Sequence, residues 1–159
     1  MLNNKELAED TPIVLQDFFP YITRHFYTKV SGAVARVYQD RYDMKPDDWR
    51  TMVILGVDSR QTAAQIVETS SMDKVAVSRA VARMRKRGWL IETANKNDGR
   101  SRFLGLSKEG LAVYADLVPR MRKLEKELLS PLSSDELNCL LECFDKVAEQ
   151  ADRASAEPA

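Results

Sequence analysis

Apolar residues along this chain recur mostly at intervals of three and four, the period of a helix with one buried face. Ile22, Phe26, Val30, Ala33, Val34 and Val37 predict a first helix from Pro20 to about Arg41, with Pro20 in its opening turn. Gly32 weakens that helix slightly while permitting close approach of another. A second helix is predicted over residues 46–55. Pro46 stands at its first position, Asp47 and Asp48 lie at the positive end of its dipole, and Gly56 follows as a stop. Thr62 and Gln65 form a capping-box pattern that opens a third helix, running to about Glu68. After a polar turn, Asp73 caps a fourth helix that ends at Gly88. Its apolar positions are Val77, Ala80, Val81 and Met84. The period then shortens to two. Residues 89–94 and 102–106 read as strands of a hairpin whose turn, residues 95–99, is rich in Asn, Asp and Gly. Ser107 caps a fifth helix to about Leu129, bent at Pro119, and the Ser133–Glu136 capping box opens a sixth to about Asp152. Residues 153–159 read as a frayed tail. The fold class is mainly α: six helices plus a small β-hairpin, the element order of a winged helix-turn-helix.

Charge changes this picture through its distribution. The chain has 159 residues and a formal net charge of zero, which alone argues against a nucleic-acid partner. Residues 72–102, however, carry nine basic side chains against three acidic ones, and residues 125–159 carry three against nine. A local basic surface governs attraction to phosphate more than the total does. No apolar run is long enough to span a membrane, and residues 1–10 lack the pattern of a secretory signal, so a cytoplasmic location without membrane contact is expected.

Two short helices and a basic hairpin suit docking on double-stranded DNA. The fourth helix would enter the major groove, where base edges present a readable donor and acceptor pattern. Its early residues, Lys74, Val75, Ala76, Ser78 and Arg79, are best placed to meet bases, with Arg83 a further DNA contact on the same helix. Arg85 and Arg87 read as backbone or solvent residues. The hairpin, with Lys96, Asp98, Arg100 and Arg102, would project toward a minor groove or its phosphates.

Residues 73–88 resemble the recognition helix of the MarR family of winged helix-turn-helix transcription regulators. Asn97-Asp-Gly-Arg100 and Leu106-Ser-Lys-Glu-Gly110 resemble that family's wing and the start of its next helix, and residues 47–55 its second helix. The resemblance spans about residues 20–147. It implies a homodimer formed through the first and last helices, here residues 18–42 and 107–152, with residues 46–106 as the DNA-binding lobe. It further implies a pseudo-palindromic operator, repression, and release from DNA by a small, often aromatic acid, effector. In the family's wing motif an Asp orients an Arg that meets DNA, and those roles fall to Asp98 and Arg100. Val75-Ala76 is less polar than the Ser-Thr pair often found there, so base preference does not carry over.

An effector would be met by Tyr21, Arg24 and His25, with Arg24 pairing a carboxylate and Trp49 and Tyr114 as aromatic walls. For Trp49 and Tyr114 the competing reading is core packing, and for His25 a half-buried helix position. His25 is the only histidine and has no Cys neighbour, so neither a metal nor any other cofactor is expected. Cys139 and Cys143, four apart on the last helix, read as small apolar packing at a helix interface ahead of a redox switch. The sequence holds no Gly-rich phosphate loop and no nucleophile–base arrangement, so catalysis is not expected. A winged helix that binds protein, or a ligand-independent activator, are the alternatives to the repressor.

Overall fold

The structure is a computed structural model that describes residues 12–95 and 101–156. After a single 3-10 turn (Leu15–Asp17), the helices are α1 (Phe19–Tyr42), α2 (Pro46–Val57), α3 (Ala63–Ser70), α4 (Lys74–Lys86), α5 (Lys108–Leu129) and α6 (Ser134–Ala156). Three strands accompany them: β1 (Gln61–Thr62), β2 (Leu90–Ala94) and β3 (Arg102–Leu106). The expected hairpin is therefore a three-stranded antiparallel sheet of order β1-β3-β2. Gln61 pairs with Leu104 and Thr62 with Phe103, covering the β3 edge that a hairpin would leave open. Two residues are too short a strand to leave an alternating pattern.

The chain divides into two compact units at residues 121 and 122, inside α5. In the first, the core is built where the α2, α3 and α4 stripes meet the sheet. Met52, Leu55, Ile66, Val77, Ala80, Met84 and Leu117 are essentially inaccessible, with Trp89, Leu104 and Leu106 beside them. The four buried positions of α4 are the four its period predicts, Val77, Ala80, Val81 and Met84.

Local chemistry starts and stops these elements as expected. Gln65 N–H donates to Thr62 Oγ1 (3.3 Å), and Thr62 N–H donates back to Gln65 Oε1 (2.8 Å). Ala76 N–H donates to Asp73 Oδ1 (2.7 Å), and α4 ends before Gly88 at φ 71°. Ser107 joins two elements. Its Oγ accepts from Gly110 N–H (3.0 Å) and donates to the Gly88 carbonyl (2.6 Å), in a buried setting. Gly110 lies so close to Trp89 that a Cβ would come within 2.2 Å of the Trp89 carbonyl oxygen. Ser107→Ala is expected to lower the unfolding free energy by about 1.5 kcal/mol, a lost cap plus a stranded carbonyl. Urea titration would show a lower midpoint at unchanged slope; an unchanged midpoint would mean that the hydroxyl does not join these elements.

Several expectations change. α2 continues through Gly56 to Val57, and Gly56 instead admits the Tyr114 ring, which a Cβ would meet at 2.5 Å. α6 reaches Ala156 rather than fraying after Asp152. A Cβ at Gly32 would meet nothing within 4 Å, so that glycine serves no close contact among the described residues. The α1 stripe joins the core only toward its C-terminal end. Tyr38 is the helix's only fully buried residue, Val34 and Val37 lie half-buried against the core, and Phe26 is 52% exposed. In the second unit α6 buries nothing, and Leu141 and Val147 stay exposed despite their helical spacing.

The end of α1 is held by charge. Asp116 on α5 accepts from Arg120, from Arg41 Nε (2.9 Å) and from the Tyr42 hydroxyl (3.1 Å). These donors, Arg120 foremost, pull its carboxyl from 3.8 to about 2. A depressed carboxyl stabilises the fold above its unfolded value and loses that contribution as pH falls through its folded value. The gap in melting temperature between the native chain and Asp116→Asn is expected to be constant above about pH 5 and to close from about pH 4 down to 2. A gap independent of pH across that range would contradict the assignment.

Candidate nucleic-acid interface

Helix α4 presents one face to the core and one to solvent, and the outer face holds most of the residues singled out from the sequence. Lys74, Val75, Ser78 and Arg79 are exposed, Val75 strongly so, and Ala76 is half-buried. Lys74, Arg79 and Lys86 form no ion pair among the described residues, so their charges are available to a polyanion. The Asp73 cap fixes where this face begins and therefore which side chains lead it.

Arg83 departs from expectation. Its Nε donates to both carboxylate oxygens of Asp48, at 2.8 and 3.1 Å, and Nη2 lies 2.6 Å from Oδ1. Asp48 is 1% exposed, and its hydrogen bond holds the Arg83 guanidinium above its ordinary pKa. Asp48 also accepts from Lys45 N–H at the start of α2 (3.2 Å). The side chain expected at DNA is thus an internal tie between α2 and α4, because helical phase turns it toward a buried carboxylate. Sequence reading assigned Asp48 only to the helix dipole; its place in the stripe with Thr51, Met52 and Leu55 was the available signal.

Arg87 is likewise committed. It donates to the carbonyls of Tyr42 and Asp43 and lies 4.8 Å over the Trp89 ring. Arg85 is exposed but bound to Glu92 of β2, its Nε 2.6 Å from Oε1. Arg102 of β3 reaches the other oxygen of Glu92, at 3.1 Å. Glu92 was not singled out in the sequence. Lys96, Asp98 and Arg100 lie outside the described residues. At the wing's base, Asn95 donates to Ser101 Oγ (2.8 Å).

The five effector residues are not gathered into one site within the chain. Tyr21 and His25 stack, with ring centroids 6.3 Å apart, and Arg24 is exposed beside them. Trp49 instead stacks on Tyr38 at 5.9 Å, and Tyr114 packs on Gly56. Tyr38 is thirteen residues beyond His25, about 20 Å along α1, so the two aromatic groups are separated by helix length. Cys139 and Cys143 are both exposed in the chain rather than packed, and the hydrogen bond between the Cys139 thiol and Cys143 holds that thiol above its ordinary pKa. That direction disfavours the reactive thiolate. Among the described residues no cluster of His, Cys, Asp and Glu could hold a metal, and no helix is long and apolar enough to cross a membrane.

Residues 42–101 match the family model of the MarR family. The uncharacterized HTH-type transcriptional regulator YwoH of Bacillus subtilis is 19% identical over 136 residues, 82% of this chain and 98% of that protein. The PcaV transcriptional regulator of Streptomyces coelicolor, solved with its natural ligand, superposes with a TM-score of 0.73 at 21% identity. That match covers 89% of this chain and 99% of PcaV. MepR of S. aureus, solved as a DNA complex, superposes with a TM-score of 0.76 at 16% identity, over 84% and 98% of the two chains. The family match spans α2, the helix-turn-helix and β2, so the likeness to the MarR family is concentrated in the part of the chain that carries α4.

Proposed function

We propose that this protein is a sequence-specific DNA-binding transcription regulator, most simply a repressor, that acts as a two-fold dimer. The observation that carries this reading is the outer face of α4, where Lys74, Val75, Ser78 and Arg79 stand exposed with uncommitted cations. Residues 46–106 form the DNA-binding lobe in this reading, and residues 18–42 and 107–152 the dimerisation region. Exposed apolar side chains support that division: Phe18 and Phe19 near the start of α1, and Leu141 and Val147 on α6. Lys74, Val75, Ala76, Ser78 and Arg79 address the major groove. Lys96, Asp98 and Arg100 address the adjacent minor groove. PcaV was solved with its natural ligand, which supports an effector here, and the Tyr21–His25 stack with Arg24 is the group that would meet an aromatic acid.

A mobility-shift assay on the protein's own upstream DNA tests the reading. A protected region of two half-sites about one helical turn apart is expected, with steep salt dependence. Added aromatic acids should release the complex. Equal affinity for upstream and random duplex at moderate salt would sink the proposal, and a shift indifferent to every acid would remove the effector from it.

A further inference from the structure

A carboxylate on a surface that meets DNA weakens attraction to phosphate, so Glu92 calls for a reason to be there. It sits on the inner face of β2, opposite Leu104, and Arg102 lies diagonally across from it, opposite Ala94. One Glu92 oxygen takes Arg85 from α4 and the other takes Arg102 from β3. Arg85 binds through Nε and Nη2, and Arg102 through Nε. A guanidinium has five N–H donors, so each keeps donors for a second acceptor. The three side chains line a groove of about 500 Å³ between α4 and the sheet, which Lys74 and Ser78 also enter. Glu92 is the only acid lining that groove among the described residues.

This triad spans the two elements that must address DNA together. α4 and the wing come from different segments of sequence, and Glu92 ties the last turn of one to the strand that leads out of the other. We propose that Glu92 is a positioning residue that holds Arg85 and Arg102 as a matched pair of phosphate contacts, and so governs discrimination between operator and random DNA. The proposal rests on the DNA-binding reading above. Phosphate contacts set register on the duplex, and only a correct register lets the base-reading residues of α4 meet their partners. Random DNA needs no register and is held by charge alone.

The two roles of a carboxylate, negative charge and geometric tie, therefore pull in opposite directions on two kinds of duplex. Fluorescence anisotropy on the full chain would compare a duplex enriched from a random pool by the wild-type protein with a scrambled duplex of equal length. Glu92→Gln removes the repulsion and weakens the tie. It is expected to bind the scrambled duplex about twofold tighter and the enriched duplex about fivefold weaker, a loss of about tenfold in discrimination. Glu92→Asp keeps the charge but is one methylene shorter, and should lose discrimination without gaining on the scrambled duplex. In an Arg85→Gln, Arg102→Gln background, Glu92→Gln should change discrimination no further. Parallel tightening on both duplexes would overturn the proposal by reducing Glu92 to its charge, as would an undiminished effect of Glu92→Gln in that background. If the wild-type protein enriches no sequence at all, the DNA-reading function itself fails. If it enriches one and Glu92→Gln discriminates normally, only the role of Glu92 fails.

Discussion

Asp48→Ala is expected to lower the unfolding free energy by about 3 kcal/mol, although it deletes only one small polar side chain. The loss arises from the partner it strands. Asp48 is 1% exposed, and it is the acceptor for both Arg83 and the N–H of Lys45, the residue that caps α2. Removing it leaves a guanidinium facing a space shaped for a carboxylate. The Arg83 side chain is 29% accessible, so water takes up part of the charge, which places the effect at the lower end of the range for a broken buried pair. Chemical denaturation would show this as a lower midpoint. The sharper measurement is the double variant Asp48→Leu, Arg83→Met, which replaces the pair by apolar groups and should recover most of the loss. Should the double variant be no more stable than Asp48→Ala, the account of a stranded charge would be wrong.

Arg79→Ala is expected to act on binding without touching the fold. Its side chain points outward from α4 and pairs with no carboxylate among the described residues. A surface change of this kind moves stability by no more than about 0.5 kcal/mol. As a base or phosphate contact in the major groove it is worth about 2 kcal/mol, so affinity for the operator should fall about thirtyfold. Anisotropy titrations over a salt series would read both the affinity and the slope. If Arg79 meets phosphate alone, affinity falls across all sequences and the slope declines by about one. If it meets a base, the loss concentrates on the operator. Retention of wild-type affinity by a folded Arg79→Ala protein would remove Arg79 from the interface.

Arg79 and Arg83 also show where sequence reading ends. They lie one helical turn apart and read alike along the chain, yet one faces solvent and the other reaches a buried acid. The difference is their phase relative to a stripe on another helix, which requires the crossing of α2 and α4. Glu92 is a similar case, because its two arginines lie seven residues before it and ten after, and only the packing of helix against strand brings them to one carboxylate. The aromatic group proposed around the effector fell apart for a related reason. Residue type and helical spacing cannot place Trp49 against Tyr38 or Tyr114 against Gly56.

What the sequence determined by itself is what short-range chemistry controls. The caps at Thr62, Asp73, Ser107 and Ser133, the stop at Gly88 and the buried face of α4 each depend on neighbours within about one helical turn. The order of those elements sufficed to indicate a winged helix-turn-helix. Tertiary structure alone decided which cations of the basic stretch remain available, because pairing to Asp48, Asp43 and Glu92 joins residues distant in sequence. It also decided that, among the described residues, α6 has no fully buried side chain and α1 only Tyr38. An amphipathic pattern specifies that a face must be buried; what buries it depends on how the elements pack, and that information is not local.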